Sequence, residues 1–253
     1  MTGNTFTAHS AGSQYGIYLD DGFDYGCNSN ISSNTVTGVL GDCLYSYYCE
    51  DGSFVTIANN TFTAIAAGCD NGMYFDDGVD YGSRLTIVGN TVTGAQDCGL
   101  WIYEIDDGST VNITGNTFTG ATTGCEYGYY NDDSVDYGSI CNITNNSFTN
   151  IMGPAATDGY GMYPLNGDHV NDGSDMTICG NTITCLTDAD SDTYGIYFNY
   201  VADYGSTLTV CDNTLTGHNY VGMYFNDDIS NGGRLDVDGN SITGGDSSCY
   251  WDA

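Results

Sequence analysis

A four-residue segment, N-[TS]-Φ-T with Φ apolar, recurs nine times in this chain, beginning at Asn4, Asn34, Asn60, Asn90, Asn116, Asn146, Asn181, Asn213 and Asn240. Successive copies lie 30, 26, 30, 26, 30, 35, 32 and 27 residues apart. A recurrence of this length marks one supersecondary unit stacked on copies of itself, because so small a unit cannot bury an apolar face alone. The early 30/26 alternation points to a duplicated two-rung unit: GIYLDDGFDYG and GMYFDDGVDYG recur one unit apart, and YYNDDSVDYG follows a unit later. A four-stranded propeller blade needs about 40 residues or more, and the L-x-x-L-x-L signature of leucine-rich repeats is missing. A coil of three short strands joined by turns fits the length. Helix formers are sparse, while Thr, Val, Ile, Tyr and Phe alternate with Gly, Asn and Asp, as strands and tight turns require.

One rung makes the geometry concrete. In LTIVGNTVT, Leu85, Ile87 and Val92 share an interior while Thr86, Thr91 and Thr93 face out, because strand side chains alternate. The same phase holds in other rungs, from Val55, Ile57 and Phe62 to Leu208, Val210 and Leu215. Stacking turns these positions into continuous apolar columns. The repeat Asn is expected at the bend, as an internal ladder pairing with the rungs above and below.

The pattern I-x-G-N-T-[IVF]-T-G followed by Y-G-[IM]-Y resembles the right-handed parallel β-helix repeat shared by pectate lyases, polygalacturonases, phage tailspikes and many surface proteins. The resemblance runs from Asn4 to about Trp251. The expected fold is all-β: a parallel β-helix, or β-solenoid, of about eight full rungs plus a partial ninth, with three short strands per rung. Residues 1–253 are read as a single domain without separate caps. The scaffold hosts enzymes, adhesins and structural polymers alike, and no catalytic motif of the family can be matched to residues here.

Charge narrows the partners. The chain has 33 Asp plus Glu against two basic residues, Arg84 and Arg234, for a formal charge of −31. Nucleic acid and anionic membrane are poor partners for such a surface, whereas cations suit it. No stretch is long and apolar enough to span a bilayer, and the opening MTGNTFTAHS is already repeat sequence, with no leader visible. Eleven cysteines suggest an oxidising compartment. Sequons at Asn30, Asn59, Asn112, Asn142 and Asn145 are compatible with an exported protein, although Thr- and Asn-rich chains produce them by chance. The expected location is extracellular or at the cell surface.

Candidate chemistry is periodic rather than singular. β-Helix lyases use Arg or Lys, yet Arg84 and Arg234 sit five rungs apart in one column, roughly 24 Å at about 4.8 Å per rung. Glycosidases need paired carboxylates, and here D-D-G-x-D-Y-G recurs at Asp20/Asp21/Asp24, Asp76/Asp77/Asp80 and, with Ser for Gly, Asp132/Asp133/Asp136. Carboxylates about 4.8 Å apart repel by roughly 0.9 kcal/mol in bulk water. These turns are therefore candidate Ca²⁺ sites, the alternative being a solvated acidic face. No cofactor is required. His9, His169 and His218 fall in different rungs with no ligand spacing.

Three further columns carry candidate roles. The outward pairs Thr35/Thr37, Thr61/Thr63, Thr91/Thr93 and Thr117/Thr119 continue along the chain and resemble the Thr-x-Thr surface of ice-binding β-solenoids. The plainer reading is that Thr ladders well on an outward strand face. A tyrosine column is expected at Tyr18, Tyr74, Tyr130, Tyr163, Tyr197 and Tyr224. Cysteines at matching offsets predict rung-to-rung disulfides Cys43–Cys69, Cys98–Cys125 and Cys179–Cys211, with Cys69–Cys98 as the alternative and Cys249 as an intermolecular candidate.

The reading these features favour is an architectural one: a self-assembling subunit of a sheath, surface layer or fibre, partnered by copies of itself stacked end to end. Its acidic, disulfide-stapled character is similar to that of archaeal sheath proteins. A binding module comes second, for ice through the Thr face or for carbohydrate through the tyrosines. A polysaccharide hydrolase or lyase comes third.

Overall fold

A computed structural model describes residues 1–8, 12–65, 68–122, 124–151, 165–186, 193–227, 229–245 and 247–252. Among them there is no helix, and every pairing between strands is parallel. The chain winds as a three-faced coil. The first face holds the strands Asn28–Ser32, Phe54–Ala58, Arg84–Val88, Thr110–Thr114, Ile140–Thr144, Asp175–Cys179, Thr207–Cys211 and Arg234–Asp238, in that order. The second face is made by the Asn-Thr segments, and the third by strands such as Cys69–Phe75, Tyr127–Val135 and Tyr194–Phe198. In two rungs the second and third faces share one long strand, Thr35–Ser46 and Thr91–Ile102.

The predicted phase is the observed one. Leu85 lies in register with Val55 and Val111, and Val92 with Phe62 and Phe118. All six are buried, and the Phe118 and Phe148 rings stack at 5.3 Å. At about 25 cal/mol per Å² of apolar surface, each such side chain contributes roughly 1.5–3 kcal/mol, which only stacking can collect.

Polar ladders hold the corners between the faces. Each repeat Asn is buried from Asn34 to Asn213, and its Nδ2 donates to Oδ1 of the Asn in the next rung at 2.9–3.1 Å. The same Oδ1 accepts the backbone N–H of the preceding Asn, at 2.9 Å for Asn60 on Asn90. From Asn60 on, the second amide hydrogen reaches a carbonyl one rung back, as from Asn116 to Ile87 at 2.9 Å. One side chain thus ties three rungs together. The residue before it turns the corner in the left-handed region, for example Asn59 at φ 54° and Gly89 at φ 64°.

The opposite corner carries a second ladder that was not anticipated. Type I′ turns such as Asp80-Tyr81-Gly82-Ser83 place two residues at positive φ (51° and 70° here). The Ser83 N–H closes the turn onto Asp80 O at 3.2 Å. The serine after each turn is buried, and its Oγ accepts the N–H of the serine one rung earlier: Ser53 to Ser83 at 3.0 Å, Ser83 to Ser109 at 3.1 Å, and on through Ser139, Ser174 and Ser206.

Candidate functional site

The outward side of the third face carries an aromatic ladder. Register places Tyr18 against Tyr45, Tyr45 against Tyr74, Tyr74 against Trp101 and Trp101 against Tyr130. Ring centroids follow at 4.9, 5.6, 5.0 and 5.1 Å. Higher up, Tyr197 and Tyr224 stack at 5.3 Å. A second row leans on the first, with Tyr15 4.6 Å from Tyr18 and Tyr127 4.5 Å from Tyr130. Tyr163 lies outside the described residues, and the register position between Tyr130 and Tyr197 belongs to Asn166. Tyr45 and Trp101 were missed because their strands read CLYS and GLWI, without the G-x-Y pattern.

The three carboxylates of each D-D-G-x-D motif do different jobs. The first stands two residues after a ladder tyrosine and so shares its outward side. Asp20 accepts the Tyr18 hydroxyl at 2.8 Å, Asp132 accepts Tyr130, and Asp76 accepts both Tyr74 and Tyr45, the latter at 2.7 Å. Those bonds, together with burial as the larger cause, hold the Tyr45 and Tyr74 phenols well above their ordinary range. The middle residues, Asp21, Asp77 and Asp133, are exposed. The third, Asp24, Asp80 or Asp136, folds back onto the N–H of the following tyrosine inside the turn. Each trio therefore diverges, and among the described residues no group of three or more His, Cys, Asp or Glu is gathered to hold a metal ion.

One acidic column does run along the turn edge, through Asp24, Glu50, Asp80, Asp106 and Asp136, aligned by bonds such as Glu50 N–H to Phe23 O and Asp106 N–H to Val79 O. Burial first, and neighbouring carboxylates after it, raise the pKa of Glu50, Asp80 and Asp106; for Asp136 burial is again the larger cause, with Asp172 adding to it. Glu104, set among Asp106, Asp133, Asp80 and Asp77, is pushed up to about 7 by burial and then by their charge.

The other predicted residues fall as follows. Thr35, Thr61, Thr91 and Thr117 align in one outward column and Thr37, Thr63, Thr93 and Thr119 in another. Cys179 and Cys211 are joined by a disulfide, as their register predicts. Cys43 and Cys69 are not bonded, although their Sγ atoms touch at 3.6 Å. The Cys98–Cys125 and Cys69–Cys98 staples are not formed either. Register shifts at Thr119/Gly120 and Cys69/Asn71 break the equal counting from the repeat Asn. Cys98 thus lies opposite Asn71 and Tyr127, and its thiol donates to Leu100 O at 3.0 Å. The side chain of Cys249 and all of His9 lie outside the described residues. His169 packs 5.4 Å from Tyr200, and His218 is buried. Arg84 and Arg234 share one column of the first face with four residues between them in register.

Three-faced parallel coils with internal Asn and Ser ladders define the class of protein: a parallel β-solenoid. The family model described as the right handed beta helix region matches residues 1–171, more than half of the chain, and the chain belongs to that family. No curated protein matches it, and no solved structure does.

Proposed function

We propose that the chain is an extracellular architectural β-solenoid whose copies associate into a sheath, surface layer or fibre. The reading rests on the translational repetition of the outward columns. The Thr rows recur at each rung, the Tyr/Trp row does so except at Asn166, and a carboxylate row runs rung by rung from Asp24 to Asp136, so no rung is singled out as a reaction centre. A surface that repeats along its axis suits periodic contacts with other copies better than it suits one substrate. The Cys179–Cys211 cross-link supports an oxidising compartment, since such bonds persist outside the reducing cytosol. Electron microscopy and sedimentation of the purified protein, across protein and salt concentration, test it. Regular polymers are the expected result, and a dispersed monomer under all conditions overturns the reading.

A second reading has its own support. A row of Tyr and Trp rings, stacked at Tyr18–Tyr45 and tilted or edge-on at Trp101, is bordered by the Asp20, Asp76 and Asp132 carboxylates and makes an outward aromatic surface of the kind that holds sugar rings. Affinity electrophoresis against a panel of soluble polysaccharides tests it: retardation lost in Trp101→Ala supports carbohydrate binding, and no retardation by any of them removes it.

A further inference from the structure

We propose that two copies of this chain pair side by side, antiparallel, through the first face. The proposal deepens the self-assembly reading by naming the face the copies share. Between the strands Phe54–Ala58 and Thr207–Cys211, the outward positions of that face carry two charged residues only, Arg84 and Asp175. On a chain of net charge −31, the one Arg and one Asp leave this patch itself without net charge, so that a second copy can settle on it.

The marginal column of the face reads Phe54, Arg84, Thr110, Ile140, Asp175, Thr207, one residue per rung. Phe54 is 53% exposed and Ile140 39%, unusual for large apolar side chains in a Thr/Asn face. Arg84 is exposed and makes no ion pair among the described residues, where Arg234 with Asp236 is the single such pair. Exposed Phe, Ile and an unpaired Arg on flat sheet have the composition of an interface centre.

The order of that column is self-complementary. A two-fold axis lying in the face, parallel to the strands and midway between Thr110 and Ile140, reverses the rungs and sets each column on itself. Thr110 then meets Ile140 of the second copy, and Arg84 meets Asp175, twice by symmetry. Phe54 meets Thr207, where a shallow depression lined by Ile140, Asp175, Thr177, Thr207 and Thr209 stands open to receive it. The turn corner beside this column alternates Asp51, Tyr81, Asp107, Tyr137, Asp172 and Tyr204, so the same axis puts a tyrosine hydroxyl opposite a carboxylate at each of these rungs. Moving the axis by a rung destroys the Arg84–Asp175 match. Six strands about 4.8 Å apart, each about 16 Å long, make a contact of roughly 460 Å² per copy and about 920 Å² in all, so the flanking turn corners are needed to reach the roughly 1,000 Å² lower bound for a specific interface.

Charge reversal tests the pairing. Sedimentation equilibrium of the full chain is measured for wild type, Arg84→Asp, Asp175→Arg and the double swap, which restores the net charge. Each single swap is expected to weaken association about tenfold or more, and the double swap to return it to within about threefold of wild type. Phe54→Ser is expected to weaken it as well. Association that persists unchanged in the single swaps, or is not restored in the double, overturns the proposed face and leaves the assembly reading standing. A wild type that stays monomeric at every concentration overturns both.

Discussion

The Asn ladder offers the sharpest test of what holds the coil together. Asn116 is buried in mid-solenoid, and its Oδ1 accepts both the backbone N–H of Asn90 at 2.9 Å and the Asn90 amide at 3.0 Å. Its own Nδ2 donates to Ile87 O and to Asn146 Oδ1, each at 2.9 Å. Asn116→Ala leaves the Asn90 N–H without a partner where water cannot reach, at about 1–3 kcal/mol for an unsatisfied buried group. The Asn90 amide and Ile87 O each lose one bond more, about 1 kcal/mol apiece. Asn146 Oδ1 still holds the backbone N–H of residue 116. The sum is about 3–5 kcal/mol. Asn4→Ala is the internal comparison: Asn4 is exposed and donates to Asn34 Oδ1, but no ladder Asn precedes it. Its loss should cost under about 1 kcal/mol. Guanidinium unfolding followed by circular dichroism measures both. Equal losses in the two variants would refute the claim that the buried ladder, rather than the apolar columns alone, fixes the rungs.

Other consequences follow from single residues. Burial and then Asp106, Asp133, Asp80 and Asp77 raise Glu104 to about 7 from an ordinary 4.5. Its contribution to stability is therefore full below the unfolded value and lost as pH rises through about 7; the thermal midpoint should climb from pH 8 to pH 5.5, and less so in Glu104→Gln. Removing the Cys179–Cys211 bond, which closes a 32-residue separation, by Cys211→Ser should cost about 4 kcal/mol by chain entropy, read as a lower midpoint that reductant no longer changes. A Cβ at Gly99 would stand 2.6 Å from Gly128 O and 3.1 Å from Phe118 Cβ, so Gly99→Ala should destabilise by about 1–3 kcal/mol in the same assay. Because the carboxylates of each D-D-G-x-D turn diverge, calorimetric titration of chelator-stripped protein should find no Ca²⁺ site tighter than about millimolar.

The coil was legible because its signal is redundant. The alternation that buries Leu85 and Ile87 is repeated in six of the eight strands of the first face, from Val55 and Ile57 to Leu208 and Val210. The buried repeat Asn stood out as the one polar residue always next to an apolar strand. The serine ladder was equally periodic in the sequence, as [DY]-G-S, but serine after a turn is common enough to pass as solvent-exposed. Its burial follows from the φ signs of the I′ turn, which aim the hydroxyl back at the rung below.

Surface roles were less legible because counting along the chain is not the same as register across it. Cys98 and Cys125 stand at nearly equal offsets from their repeat Asn, yet a bulge moves Cys98 opposite Tyr127. Tyr45 and Trp101 joined the aromatic ladder through pairing alone, with no shared motif to reveal them. The D-D-G-x-D acids read as a cluster because they are close in sequence, whereas strand alternation and the turn send them to three different tasks. On a solenoid, residues cooperate when they are one rung apart, not when they are one or two residues apart. That is why the match of Arg84 to Asp175, which no local motif contains, could emerge only from the order of the rungs.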